Sequence, residues 1–187
     1  DFALFDDRKR EIVTHKSLTT PAAPDLAVLD GVTAVTRLAG VTAGDIAMIV
    51  HGTTLVTNAV IERRGLTTAM IVTRGFRDVL DIAMEQRYDL FDLRIRFPAP
   101  LVPRTLRFEV DERVAMDGEV RRPLVLGTLE AQLREAVATH GVRAVAVCLL
   151  HSYVNPAHEH TIVDWLRERF PALRVSASAV VFPFARE

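Results

Sequence analysis

The chain has 187 residues, 49% hydrophobic and 25% charged, a composition that folds rather than one that stays disordered. Its 23 basic residues nearly balance 24 acidic ones, and the net charge of -1 leaves no basic field for nucleic acid or an anionic membrane. The single cysteine, Cys148, excludes an internal disulfide framework, and no apolar stretch nears the ~20 residues that span a bilayer. A cytoplasmic globular chain is therefore expected. It opens at Asp1-Phe2-Ala3-Leu4-Phe5, already strand-like, and ends at Phe184-Ala185-Arg186-Glu187 with no closing element. Both ends read as cut, so a piece of something longer is expected.

Residues 2–6 and 11–18 read as two strands of a hairpin around the polar turn Asp6 to Arg10. A helix is predicted over 24–39, where Val28, Val32, Val35 and Ala39 recur at helical spacing and Gly40 follows as a cap. The unalternated run Ile46 to Val50 predicts a strand covered on both faces, and a helix over 54–64 should follow it. Thr68 to Val72 predicts a second such strand, with a helix over 76–85 after it. The stretch 86–104, with Pro98, Pro100 and Pro103, reads as an ordered excursion. Strands over 105–115 and 119–125 should form a hairpin turned at Asp117-Gly118. A helix over 128–139 precedes the most apolar run, Val142 to Leu150, which predicts a buried parallel strand. Asn155 as N-cap and Pro156 at the first helical position start the next helix, and 173–180 should close the chain as a strand.

Strands alternating with helices argue an α/β fold with a largely parallel sheet. A leading antiparallel hairpin feeding βαβα is unlike a nucleotide-binding doubly wound fold. It is closer to the actin, Hsp70 and sugar-kinase type of phosphate-binding domain, which is ribonuclease H-like. The strands at 46–50 and 68–72 should then be parallel neighbours, with the first hairpin at the edge of their sheet. The division expected is a subdomain of this actin-like type over 1–85 and a second small α/β lobe over 86–187.

Chemistry concentrates at His51-Gly52-Thr53-Thr54-Leu55-Val56-Thr57-Asn58. A strand ends, a glycine permits a turn, and two hydroxyls begin a helix whose free N–H groups suit an anion. The same residues also read as an ordinary threonine cap with a packing glycine. His151, His158 and His160 lack an acid or cysteine at metal spacing and read as exposed first-turn histidines, so no metal site is expected. Cys148 reads as a core thiol. Arg74 with Asp78, and Arg77 with Asp81, stand at i,i+4 spacing and predict a solvated, ion-paired helix face. Arg87 follows in an aperiodic loop beside Tyr88, Asp89 and Asp92, a place for a substrate contact.

Taken together, these segments resemble the N-terminal domain of the hydantoinase A/oxoprolinase family. The resemblance is carried by Lys16 to Pro21, His51 to Ala59, Glu62-Arg63-Arg64-Gly65, Thr73 to Leu80, Tyr88 to Leu93, Leu101 to Arg104, Glu112-Arg113-Val114, Asp117 to Val120 and Val145 to Glu159. It implies an actin-like ATPase fold and opening of a cyclic amide, 5-oxoproline or a hydantoin, after ATP phosphorylates the ring carbonyl oxygen. Subunits of acetone and acetophenone carboxylases share the pattern, and a non-catalytic binding module on the same fold is the remaining alternative. ATP and Mg²⁺ are the implied cofactors. Asp1, Gly52, Thr53, Thr54 and Asn58 are the implied nucleotide contacts, and His51 and Arg87 the substrate contacts. Asp1 stands for the last residue of the phosphate loop Asp-x-Gly-Gly-Thr-x-Thr-Asp with which members begin. A second subunit of hydantoinase B type, in a homo- or hetero-oligomer, is the implied partner.

Overall fold

A computed structural model describes residues 1–20, 22–83, 91–92, 94–95 and 97–185. Two compact units divide between Thr54 and Leu55.

In the first unit, strands β1 (Phe2–Asp6) and β2 (Glu11–His15) pair antiparallel, with Phe2 opposite His15 and Asp6 opposite Glu11. Asp6 holds the turn by accepting the backbone N–H groups of Arg8 and Lys9 at 2.9 and 3.0 Å. Helix α1 (Pro24–Ala39) spans the predicted residues and stops at Gly40, whose φ of 68° gives the left-handed cap that glycine adopts at little cost. The helix lies on the hairpin closely enough that a Cβ on Gly31 would sit 2.1 Å from the Phe2 ring. Only a glycine fits there.

The run Ile46 to Val50 is not a strand, contrary to the sequence expectation. A strand needs a neighbour for its N–H and C=O groups. No strand among the described residues pairs with 46–50. Met48, Ile49 and Val50 are exposed as a result. The expected pairing of 46–50 with 68–72 is therefore absent from this structure, and the hairpin forms a two-stranded sheet of its own.

The second unit begins with α2 (Leu55–Ile61), shorter than the predicted 54–64. Its centre is a five-stranded mixed sheet in the order β5-β4-β3-β6-β7. Here β3 is Thr68–Thr73, β4 Arg107–Val114, β5 Val120–Val125, β6 Ala144–Cys148 and β7 Arg174–Ala177. Strand β3 runs parallel to β4 and β6, β6 runs parallel to β7, and β5 returns antiparallel along β4 as the predicted hairpin. The sequence reading divides the chain after residue 85, yet β3 from before that point is the middle strand of a sheet otherwise built after it.

Helices α4 (Leu129–His140) and α5 (Ala157–Arg169) pack on this sheet. Ile71, Val110, Leu133, Val145, Ile162 and Leu166 lie at the heart of the core, each buried apolar side chain stabilising by about 1.5–3 kcal/mol. Cys148 is half-buried rather than a full core thiol. The closing strand ends at Ala177, and Ser178–Val181 form the short helix α6 instead of extending it.

The predicted helix over 76–85 is reduced among the described residues to α3 (Val79–Ile82). Residues 84–90 lie outside the described residues, as do 93 and 96. With so little helix, the i,i+4 pairs do not form. Arg104 instead grips Asp78 with Nε and Nη2 at 2.6 and 3.1 Å, the buried Arg107 holds both oxygens of Asp81, and Arg74 reaches Asp111 at 3.2 Å. These pairs bridge 26 to 37 residues of sequence and tie the turn after β3 to β4 and the segment before it.

Candidate functional site

The sequence-derived contacts that lie among the described residues are exposed. Asp1 stands at the start of the hairpin, with its carboxylate 3.7 Å from Lys16 Nζ. His51, Gly52, Thr53 and Thr54 form an exposed irregular segment, and Gly52 has open space where a Cβ would stand. Its φ is not positive, so neither close approach nor turn conformation demands a glycine. Asn58 is exposed on α2, a helix of 7 residues. Arg87 lies outside the described residues.

The densest polar assembly is elsewhere, at the carboxyl ends of the parallel strands of the second unit. Thr73 ends β3, Glu112 stands near the end of β4, and Leu149 and Leu150 follow β6. Ser178 follows β7, and His158 and Glu159 lie in the first turn of α5. The Glu112 side chain is fully buried. It accepts the Thr73 hydroxyl on one oxygen and His158 Nδ1–H at 2.8 Å on the other. Thr73 Oγ1 in turn accepts Leu150 N–H at 3.0 Å. The Glu159 carboxylate, also fully buried, takes Leu149 N–H at 2.9 Å, Ala179 N–H at 2.8 Å and the Ser178 hydroxyl at 2.5 Å. Ser152 Oγ lies 3.0 Å from Ser178 Oγ.

Each buried carboxylate is thereby bonded on both oxygens, as a charge away from water must be. The assembly pins the loop 149–156, in which His151 adopts a φ of 58° and donates Nδ1–H to Val114 O at 2.8 Å. That left-handed conformation is uncommon for a residue with a Cβ. Asn155 completes the loop, accepting Ala157 N–H and donating to Gly118 O at 2.9 Å. His158 is consequently not the exposed residue expected of a first turn, whereas His160 is exposed. Glu112 and Glu159 escaped the sequence reading because a lone acid in a strand or helix gives no local sign of burial. Nearby histidine, serine and asparagine around a strand end were the only clue.

Electrostatics elsewhere follow the ion pairs. The Arg104 guanidinium holds the Asp78 carboxyl below the usual carboxylate range, Arg107 does the same for Asp81, and Arg122 for Asp111. Among the described residues no group of three metal-ligating side chains comes together. No helix there is long and apolar enough to cross a membrane.

The family model of the hydantoinase/oxoprolinase N-terminal region matches residues 1–170. The chain belongs to this family. Within the hydantoinase/oxoprolinase family it is 30% identical over 193 residues to caprolactamase subunit alpha of Pseudomonas jessenii, which takes in 100% of this chain and 27% of that protein. To 5-oxoprolinase 1 of Arabidopsis thaliana it is 33% identical over 162 residues, 72% of this chain and 12% of the relative. Solved structures agree. Nucleotide-free acetone carboxylase matches with a TM-score of 0.77 at 26% identity, covering 95% of this chain and 27% of that one. The ATP-dependent caprolactamase of Pseudomonas jessenii matches at 0.73 and 27% identity, covering 94% and 28%. The chain thus spans 12% to 27% of the length of these two curated relatives.

Proposed function

We propose that this chain serves an ATP-dependent enzyme that opens a cyclic amide, 5-oxoproline or a hydantoin, after phosphoryl activation of the ring carbonyl. The observation that carries this reading is the likeness, over 94% of the chain, to the structure of the ATP-dependent caprolactamase of Pseudomonas jessenii. An amide carbonyl is a poor electrophile, and converting its oxygen to a phosphate ester supplies a leaving group; catalysis then rests on positioning and charge neutralisation. The finer fold assignment, an actin-, Hsp70- and sugar-kinase-like domain, belongs to the same reading.

ATP and Mg²⁺ are its cofactors, but the described residues do not close a nucleotide cradle by themselves. Gly52 has nothing within 4 Å of a Cβ, and residues 51–54 are exposed. In this reading Asp1, Gly52, Thr53, Thr54 and Asn58 serve the nucleotide, and His51 and Arg87 the cyclic amide, only within a larger protein. The relatives named as subunits of caprolactamase and of acetophenone and acetone carboxylases support a second subunit as partner. Cytoplasmic placement goes with this reading.

A carboxylase subunit is the second reading, favoured by the TM-score of 0.77 to acetone carboxylase. The full-length gene product, purified with its partner subunit, separates the two. Phosphate release should rise with 5-oxoproline, N-methylhydantoin or caprolactam and yield the ring-opened acid. Stimulation by acetone with bicarbonate instead would establish the carboxylase reading, and no stimulation by either class would overturn both. The 187-residue chain alone should release no phosphate above a heat-killed control.

A further inference from the structure

The strand order β5-β4-β3-β6-β7 changes direction at β3, with β4 following on one side and β6 and β7 lying on the other. Open α/β sheets bind their ligands outside the carboxyl ends of the strands at such a point. Thr73 ends β3 there and joins it to the end of β6 by accepting Leu150 N–H at 3.0 Å. Glu112 bridges Thr73 to His158, which sets the His158 ring at the same place. We propose that His158 Nε2 is a ligand contact that accepts the ring N–H of a cyclic amide. The ligand class rests on the proposed function, while every residue of the contact lies in the second unit.

A carboxylate only accepts hydrogen bonds, so the His158 nitrogen that faces Glu112 at 2.8 Å must carry the hydrogen. Glu112 thereby fixes the proton on Nδ1, and the neutral ring keeps its lone pair on Nε2. The carboxylate is not free to swing away, because its side chain is fully buried and its other oxygen holds the Thr73 hydroxyl. Nε2 meets no partner among the described residues, yet it is not one of their buried polar atoms left unsatisfied. It therefore reaches solvent, at the open end of a side chain only 12% exposed. The result is a single acceptor of fixed direction at the place where the sheet takes ligands. Such a group selects a partner with an N–H and rejects an analogue that lacks one. Accepting a lactam or imide N–H also leans electron density onto the adjoining carbonyl oxygen, the atom that the proposed reaction phosphorylates.

NMR of the 187-residue chain with labelled histidine ring nitrogens tests the contact. Titration with hydantoin should shift the Nε2 resonance of His158 saturably, whereas 1,3-dimethylhydantoin, which has no N–H, should leave it in place. His158→Asn keeps a donor for Glu112 but removes the Nε2 acceptor. Hydantoin binding, followed at the neighbouring amides, should then weaken at least about tenfold. Glu112→Gln serves if that variant fails to fold. Its amide oxygen still accepts the Thr73 hydroxyl, while its NH2 donates to His158 Nδ1 and drives the ring proton to Nε2. The two ring nitrogens should exchange their signatures, and hydantoin binding should fall by a similar factor. His160→Asn, at an exposed histidine of the same helix, should change nothing. A silent Nε2, an equal response to 1,3-dimethylhydantoin, or unweakened binding in Glu112→Gln with the tautomer reversed overturns the proposal. Turnover of cyclic amides by the full-length enzyme alongside a silent His158 overturns this contact alone and leaves the proposed function standing.

Discussion

Replacing Glu159 by alanine tests whether the buried assembly behind β6 holds the second unit together. The carboxylate accepts two backbone N–H groups, of Leu149 and Ala179, and the Ser178 hydroxyl. Alanine strands both N–H groups in a site closed to water, each costing about 1–3 kcal/mol, and adds a cavity. Because the terms share partners they do not simply add, and a loss on the order of 3–5 kcal/mol is expected. For a chain of this size that lowers the melting temperature by roughly 2–4 °C per kcal/mol, on the order of 10 °C in all. Glu159→Gln keeps one acceptor and should fall between alanine and wild type, while Ser178→Ala, which removes one donor, should cost least. The single tryptophan, Trp165, sits on α5 with its ring 5.8 Å from that of Phe170, so its fluorescence reports this unit. Hydrogen exchange at the Leu149 amide reports the bond itself. A midpoint for Glu159→Ala within about 2 °C of wild type, with Leu149 exchange unchanged, would refute the reasoning.

Two further outcomes follow from the ion pairs and the loop. The Arg107 guanidinium holds the Asp81 carboxyl below the usual carboxylate range, so on acidification the unfolded chain binds a proton there before the folded one does. That contribution is complete above the unfolded pKa and is lost as pH falls through the lower folded one. Asp81→Asn should therefore flatten the acid side of the stability curve below about pH 4, and an unchanged acid slope would refute the pairing. Asn155→Ala removes the acceptor for Ala157 N–H and the donor to Gly118 O, and should cost about 1–2 kcal/mol by urea denaturation. Full stability in that variant would show that the loop and the Asp117-Gly118 turn are held by other contacts.

Much of this protein is written locally. Helical spacing and a trailing glycine place α1 over residues 24–39, because both the periodicity and the αL cap are decided within the helix itself. The turn dipeptide Asp117-Gly118 fixes the β4–β5 hairpin in the same way, with Gly118 at a φ of 86°. Family membership was also legible, since it rests on short residue strings rather than on packing. What lies beyond local reach is the choice of partner. The run Ile46 to Val50 has strand chemistry, yet no described strand pairs with it. Asp78 and Asp81 have arginines one helical turn away in sequence, but bond to arginines 26 residues distant. Glu112 and Glu159 carry no local sign of burial, yet both are closed off at the strand ends. A hydrogen bond or ion pair is satisfied by whichever group the fold brings within about 3 Å, and only the tertiary structure decides which group that is.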